Sequence, residues 1–166
     1  FCAAQRAAAV VLLRRLRPRI VPRMQVDQLD ASTQTLVVCP TMLMDAAHAI
    51  SMVKHLSVLH QANPDPHLHF LLLGDFQDSL TGTLSGDGDI VAAASAAVRA
   101  LCEDTGHPFF YLQRERVFST HDHLYMSRER KRGSLETLLR LIDGRPVEDS
   151  FAYASLPLES LKGRYR

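Results

Sequence analysis

What this chain has little of narrows it first. Its cysteines are three, Cys2, Cys39 and Cys102, an odd number with no close spacing. They support neither a disulfide framework nor a zinc knuckle, and a reducing cytoplasm fits them best. Charge of one sign is not in excess: the formal net charge of +1 gives no overall pull toward nucleic acid and leaves any anion site to local clustering. The apolar run Ala7 to Leu13 falls far short of the roughly 20 residues that span a bilayer. It also lacks the charged, apolar and cleavable order of a signal peptide. Glycine is missing immediately after the first strand-like run, which argues against both a dinucleotide fingerprint and a Walker motif. No Gly-x-Ser-x-Gly elbow and no cysteine with an evident partner is present, so hydrolase chemistry has no specific support. The 166 residues, 46% of them hydrophobic, suffice for one globular core and not for two ordinary domains.

Acidic residues are absent from Phe1 to Met24, where Arg6, Arg14, Arg15, Arg17, Arg19 and Arg23 fall. Residues 1–24 read as a basic membrane-proximal segment, the trailing end of a span whose arginines mark the cytoplasmic side, or equally as an amphipathic surface helix. Beyond it the chain alternates strand and helix. Thr35 to Cys39 is a short β-branched run closed by Pro40, a buried strand leaving its sheet. Ala46, Ala49, Ile50, Val53, Leu56 and Leu59 recur at three- and four-residue steps, which predicts a helix from Asp45 to His60, stopped by Asn63-Pro64-Asp65-Pro66. Leu68 to Leu73 reads as a second strand, ended by Gly74-Asp75-Phe76-Gln77-Asp78 and followed by a glycine-rich loop from Thr81 to Asp89. A helix from about Ile90 to Cys102 leads to a third strand, Phe109 to Leu112. Leu135, Leu138, Leu139 and Ile142 mark one more helical stripe, ended by Asp143-Gly144. From Val147 the pattern fades. Continuous apolar strands separated by helices indicate an α/β fold, a Rossmann-like parallel sheet of about three strands with helical crossovers and a missing continuation.

In such sheets ligands bind beyond the carboxyl ends of the strands. Pro40 and Thr41 follow the first strand, Asp75 and Asp78 the second, and Arg114 and Arg116 the third, so all should converge on one edge. Carboxylates there suit a ribose or the N–H of a uracil ring. Past them, Arg128, Arg130, Lys131 and Arg132 stand against Gly133 just before the last amphipathic helix, where backbone N–H groups and the helix dipole attract a phosphate. Without a glycine-rich loop, a diphosphate would be held by side chains. The histidines invite a metal reading, because His67-Leu68-His69 and His121-Asp122-His123 each place two imidazoles at alternate positions. The first pair sits at the start of the second strand, the wrong end for the site, and no third ligand has diagnostic spacing.

Three segments in order carry a resemblance: Thr35-Leu36-Val37-Val38-Cys39-Pro40-Thr41, then Ala62-Asn63-Pro64-Asp65-Pro66-His67-Leu68-His69-Phe70, then Glu129-Arg130-Lys131-Arg132-Gly133. Across about 18–166 the chain resembles the glycosyltransferase domain of cyclic β-1,2-glucan synthases. That resemblance implies the N-terminal, nucleotide-sugar-binding part of an A-type glycosyltransferase fold over residues 25–166, truncated before the Asp-x-Asp motif. The enzyme implied sits in the bacterial inner membrane through flanking segments, with this part on the cytoplasmic side, and builds β-1,2-glucan from UDP-glucose. Residue by residue, the resemblance makes Pro40 and Thr41 the first nucleotide-contacting turn, Asp75 and Asp78 uridine-binding carboxylates, and Lys131 the diphosphate contact, with Arg132 and Gly133 completing that turn. A divalent cation, Mg or Mn, is implied only for the intact enzyme; this fragment carries neither its ligands nor the general base, and is expected to be inactive alone. Partners implied are UDP-glucose and a glucan acceptor, not nucleic acid, with self-association possible through an open sheet edge. The chain departs from the family at Ser127-Arg128, usually Gly-Trp, at Ser134 in place of lysine and at Leu139 in place of asparagine. The alternative is a non-catalytic anion-binding module that uses residues 128–132 on nucleic acid or anionic lipid.

Overall fold

The computed structural model describes Gln5 and residues 32–165, so the basic segment 1–24 lies, Gln5 apart, outside the described residues. Four strands form the main sheet: β1 (Thr35–Leu43), β2 (Leu68–Phe76), β3 (Phe109–Arg114) and β6 (Phe151–Ala154), in the order β1-β2-β3-β6. The first three pair in parallel and β6 adds antiparallel to β3, through Leu112↔Ala154 and Gln113↔Tyr153. A small antiparallel hairpin, β4 (Val117–Ser119) and β5 (Leu124–Met126), follows β3. The sheet is therefore mostly parallel with helical crossovers, as the alternating pattern predicts. Two differences stand out. The tail that lacks periodicity supplies a fourth strand and a 3-10 turn, Leu158–Leu161, and the hairpin strands, three residues each, are too short to show alternation.

Helices α1 (Ala46–Ala62) and α2 (Asp87–Thr105) connect successive strands and cover one face; α3 (Arg130–Ile142) covers the other. Alternation along β2 divides the core. Phe70, Leu72 and Phe76 pack with Ala49, Val53 and Leu56 of α1 and Ile90, Ala94 and Val98 of α2. Leu71 and Leu73 pack instead with Leu112, Leu138, Leu161 and Tyr165. β2 is buried along nearly its whole length, which is why its middle, Phe70 to Leu73, is continuously apolar. The Asp45 carboxylate caps α1, accepting from the His48 N–H at 2.7 Å. Gly106, left-handed at φ 65°, ends α2.

Two expectations need correction. Pro40 does not end β1: it lies inside a strand that runs to Leu43, paired opposite Leu73. Thr35 donates its N–H inward to His67 O at 3.0 Å. Alternation along a parallel strand then turns residue 40 outward, so proline's missing donor falls on the edge that no described strand pairs, where it breaks no ladder bond among the described residues. The stripe of α3 is borne out in part: Leu138 and Ile142 pack into the core as expected, whereas Leu135 and Leu139 do not. Leu135 is 38% exposed and Leu139 59%, whereas Gly133, Ser134, Thr137 and Leu138 face the sheet, because small residues let the helix approach it closely.

Candidate functional site

The three parallel strands end together. Thr41, Met42 and Leu43 lie opposite Gly74, Asp75 and Phe76, and Gly74 lies opposite Gln113. Gly74 leaves room for the buried Gln113 side chain: a Cβ there would stand 2.1 Å from Gln113 Oε1. That oxygen accepts from the Tyr111 hydroxyl at 2.9 Å, while Gln113 Nε2 is buried without a hydrogen-bond partner among the described residues. Pro40 and Thr41, half-buried within β1, belong to a strand and not to a turn beyond it.

Arg114, the last residue of β3, is wholly buried at this edge and uses every one of its five N–H groups. Nε donates to Asp75 Oδ1 at 2.8 Å and Nη2 to Asp75 Oδ2 at 3.0 Å, a bidentate pair. Nη1 donates to Asp149 Oδ2 at 2.9 Å and to Arg128 O at 3.3 Å, and Nη2 to Arg130 O at 3.0 Å. Burial opposes the Arg114 charge, but the hydrogen bonds to Asp75 and Asp149 outweigh it and raise its pKa above the ordinary value. Asp75 is 6% exposed with both carboxylate oxygens on Arg114. It sits at the predicted edge, yet its charge is committed inside the protein.

Asp78 and the basic run stay nearer the surface. Arg130 Nη2 meets Asp78 Oδ2 at 2.6 Å, tying the segment after β2 to the start of α3. Arg128 pairs with Glu148 and Arg132 with Glu129. Lys131 is exposed, and of the four cations at 128–132 it alone has no carboxylate within ion-pair reach among the described residues. Glu129 and Arg130 are both left-handed, at φ 51° and 48°, in a turn that glycine would adopt more readily. Gly133 is buried beneath it, and a Cβ there would lie 2.1 Å from Arg128 O. A cavity of about 350 Å³ adjoins the turn, lined among others by Arg128, Arg132, Thr137 and Asp149.

Arg116 builds a second buried clamp. It donates to both oxygens of Asp87 at the start of α2, to Gln77 O and to Gly82 O, and it lies 4.7 Å over the Phe76 ring. Burial opposes the Asp87 charge, but hydrogen bonds from Arg116 and the Leu84 N–H hold its pKa below the usual value. The segment after β2 is also joined to the hairpin through paired backbone bonds between Ser79 and Tyr125. Phe76, Thr83, Val91 and Arg116 help line a cavity of about 590 Å³ beside this clamp. Sequence pattern reveals neither Asp149 nor Asp87 as a partner. Asp87 carries the weak signal of an acid beginning a helix; Asp149 lies in an aperiodic tail and carries none.

The carboxylates at the site are arginine partners, and among the described residues no group of three or more His, Cys, Asp or Glu side chains is placed to hold a metal. Among the described residues this donor set therefore does not fit a divalent cation. His67 immediately precedes β2 and His69 is its second residue, at the far end of the sheet from the site. There His69 Nδ1 lies 2.7 Å from Tyr165 Oη, His107 Nε2 lies 2.7 Å from Leu68 O, and His60 stacks on His107 at 4.4 Å. Burial first, and neighbouring positive charge second, lower the His60 and His69 pKa values. His121 and His123 are exposed at the hairpin turn.

No protein-family profile matches the chain. Over 130 residues, 76% of this chain, it is 32% identical to a protein of Rhizobium meliloti (strain 1021) named cyclic beta-(1,2)-glucan synthase NdvB. The match covers 5% of that protein's length. Among the described residues no helix is long and apolar enough to cross a membrane.

Proposed function

We propose that the carboxyl edge of this sheet is the donor-binding side of a glucosyltransferase, which takes UDP-glucose and extends a β-1,2-glucan acceptor in the context of a much longer protein. The observation that carries this reading is the exposed, uncommitted Lys131 on a preformed turn at the start of α3, beyond the ends of three parallel strands. Asp78 and Arg132 are the other reachable groups; Asp75 and Gly133 serve from behind, through Arg114 and through close packing. Similarity to a segment of a protein named as a glucan synthase supports the same reading. Residues 25–166 are then part of a transferase domain, and the arginines of residues 1–24 suit the cytoplasmic side of a bacterial inner membrane. A metal, the general base and the acceptor site would come from other parts of the protein, and self-association would use an open sheet edge. The chain alone is expected to transfer no glucose.

Calorimetric titration with UDP and UDP-glucose tests the reading. Saturable binding that is lost in Lys131→Ala and weakened in Asp78→Ala supports it; no binding by the native chain overturns a donor half-site on these residues. Asp75→Ala is an unsuitable probe, because it leaves the buried Arg114 unpaired on one side. The anion-polymer alternative has less support, since three of the four cations in the run already hold carboxylates. Steep loss of affinity with salt, unaffected by Lys131→Ala, would favour it.

A further inference from the structure

We infer that Arg114 is the positioning residue of the basic turn: its guanidinium, bonded to the carbonyls on either side of Glu129, holds two consecutive left-handed residues and so fixes where Lys131 and Arg132 present their charge. The role for those cations rests on the donor-site reading; the role of Arg114 in the turn does not. Left-handed backbone at two successive non-glycine residues is unfavourable and persists where the surroundings impose it. Here the impositions can be named. Arg128 O receives Arg114 Nη1 and Arg130 O receives Nη2, so the peptide units on either side of the left-handed Glu129–Arg130 pair are both anchored to one rigid plane. That plane is itself immobilised by Asp75 of β2 and by Asp149, which also accepts from the Thr137 hydroxyl of α3. Gly133 closes the turn from below, and the Arg132 and Gly133 N–H groups both reach Glu129 O, at 3.1 and 3.3 Å. The side chain that organises the turn is thus buried beneath it. A lysine could keep its charge but not its planar fork, and could not serve two carboxylates and two carbonyls together.

Amide hydrogen exchange on the whole chain, native and Arg114→Lys, tests this. The expected result is at least tenfold faster exchange at the Arg132 and Gly133 amides, with the β1, β2 and α1 amides unchanged, and at least tenfold weaker binding of inorganic pyrophosphate. Asp149→Asn, which loosens one support of the same plane, should accelerate the same two amides to a smaller degree and serves where the lysine variant does not fold. Uniform acceleration across the sheet in whichever variant folds would reduce Arg114 to a structural role, and unchanged turn amides in Arg114→Lys or, failing that, Asp149→Asn would likewise overturn the inference. Local acceleration without pyrophosphate binding by the native chain would retain the inference and sink the donor reading instead.

Discussion

Gly133→Ala should destabilise this protein even though alanine is the better helix former. The added methyl would sit 2.1 Å from Arg128 O, 3.0 Å from Arg128 C and 3.2 Å from Glu129 Cβ, well inside contact distance. The nearest obstacle is backbone, and that carbonyl is held by Arg114 Nη1, so it cannot swing aside as a flexible side chain would. Overpacking of this kind costs about 1–3 kcal/mol. Alanine's helix propensity returns about 1 kcal/mol. The net loss should be up to about 2 kcal/mol, or up to roughly 8 °C in Tm for a chain of this size. Gly88→Ala in α2 is the control, since nothing lies within 4 Å of its Cβ position. There propensity acts alone, and a gain of a few tenths to about 1 kcal/mol is expected. Thermal unfolding of both variants by circular dichroism reads the contrast. Equal stabilisation by the two alanines would refute the close approach of α3 to the turn that this reasoning requires.

The histidine cluster sets an acid limit. His60 and His69 have pKa values lowered in the folded protein, so the unfolded chain binds more protons as pH drops below about 6.5, and stability present above that pH is lost on acidification. His60→Phe keeps a ring against His107 and Phe70 and removes one titrating group, so urea unfolding at pH 7.5 and 5.5 should show a smaller acid loss than in the native protein; an unchanged loss would exclude His60 as a source. Tyr165→Phe deletes the hydroxyl beside His69 Nδ1 and leaves a buried ring nitrogen unpaired, which should cost about 1–2 kcal/mol in the same assay at pH 7.5; a neutral result would show that the contact contributes nothing net.

Much of the fold was legible in the sequence because the parallel core is written in uninterrupted runs. Leu68 to Leu73 can only be a strand covered on both faces, and Asn63-Pro64-Asp65-Pro66 can only be a break. Strand ends were less legible. Gly74 and Asp75 look like a turn, but β2 continues through them because Gln113 fills the space above the glycine and Arg114 neutralises the carboxylate. The same contacts explain what the site reading lacked. Convergence of Asp75, Asp78, Arg114 and the basic run follows from strand order, whereas the division into committed and uncommitted charges depends on which side chains meet. Asp75 and Asp78 are alike in sequence; one is sealed under Arg114 and the other shares Arg130 near the surface. Likewise the apolar spacing of α3 points to Leu135 and Leu139 as well as Leu138, but a helix seated on glycine and serine rotates those two outward and keeps only Leu138 buried.

Pro40 gives the side of β1 that no described strand pairs a grammar of its own. Leu36, Val38 and Met42 offer outward N–H groups to an added strand, and the proline between them offers none. A chain laid along this edge loses one rung in mid-course, and it must shift, bulge or stop there. The edge therefore welcomes a partner shaped to skip that rung and handicaps any strand that needs an unbroken ladder, including a second copy of β1.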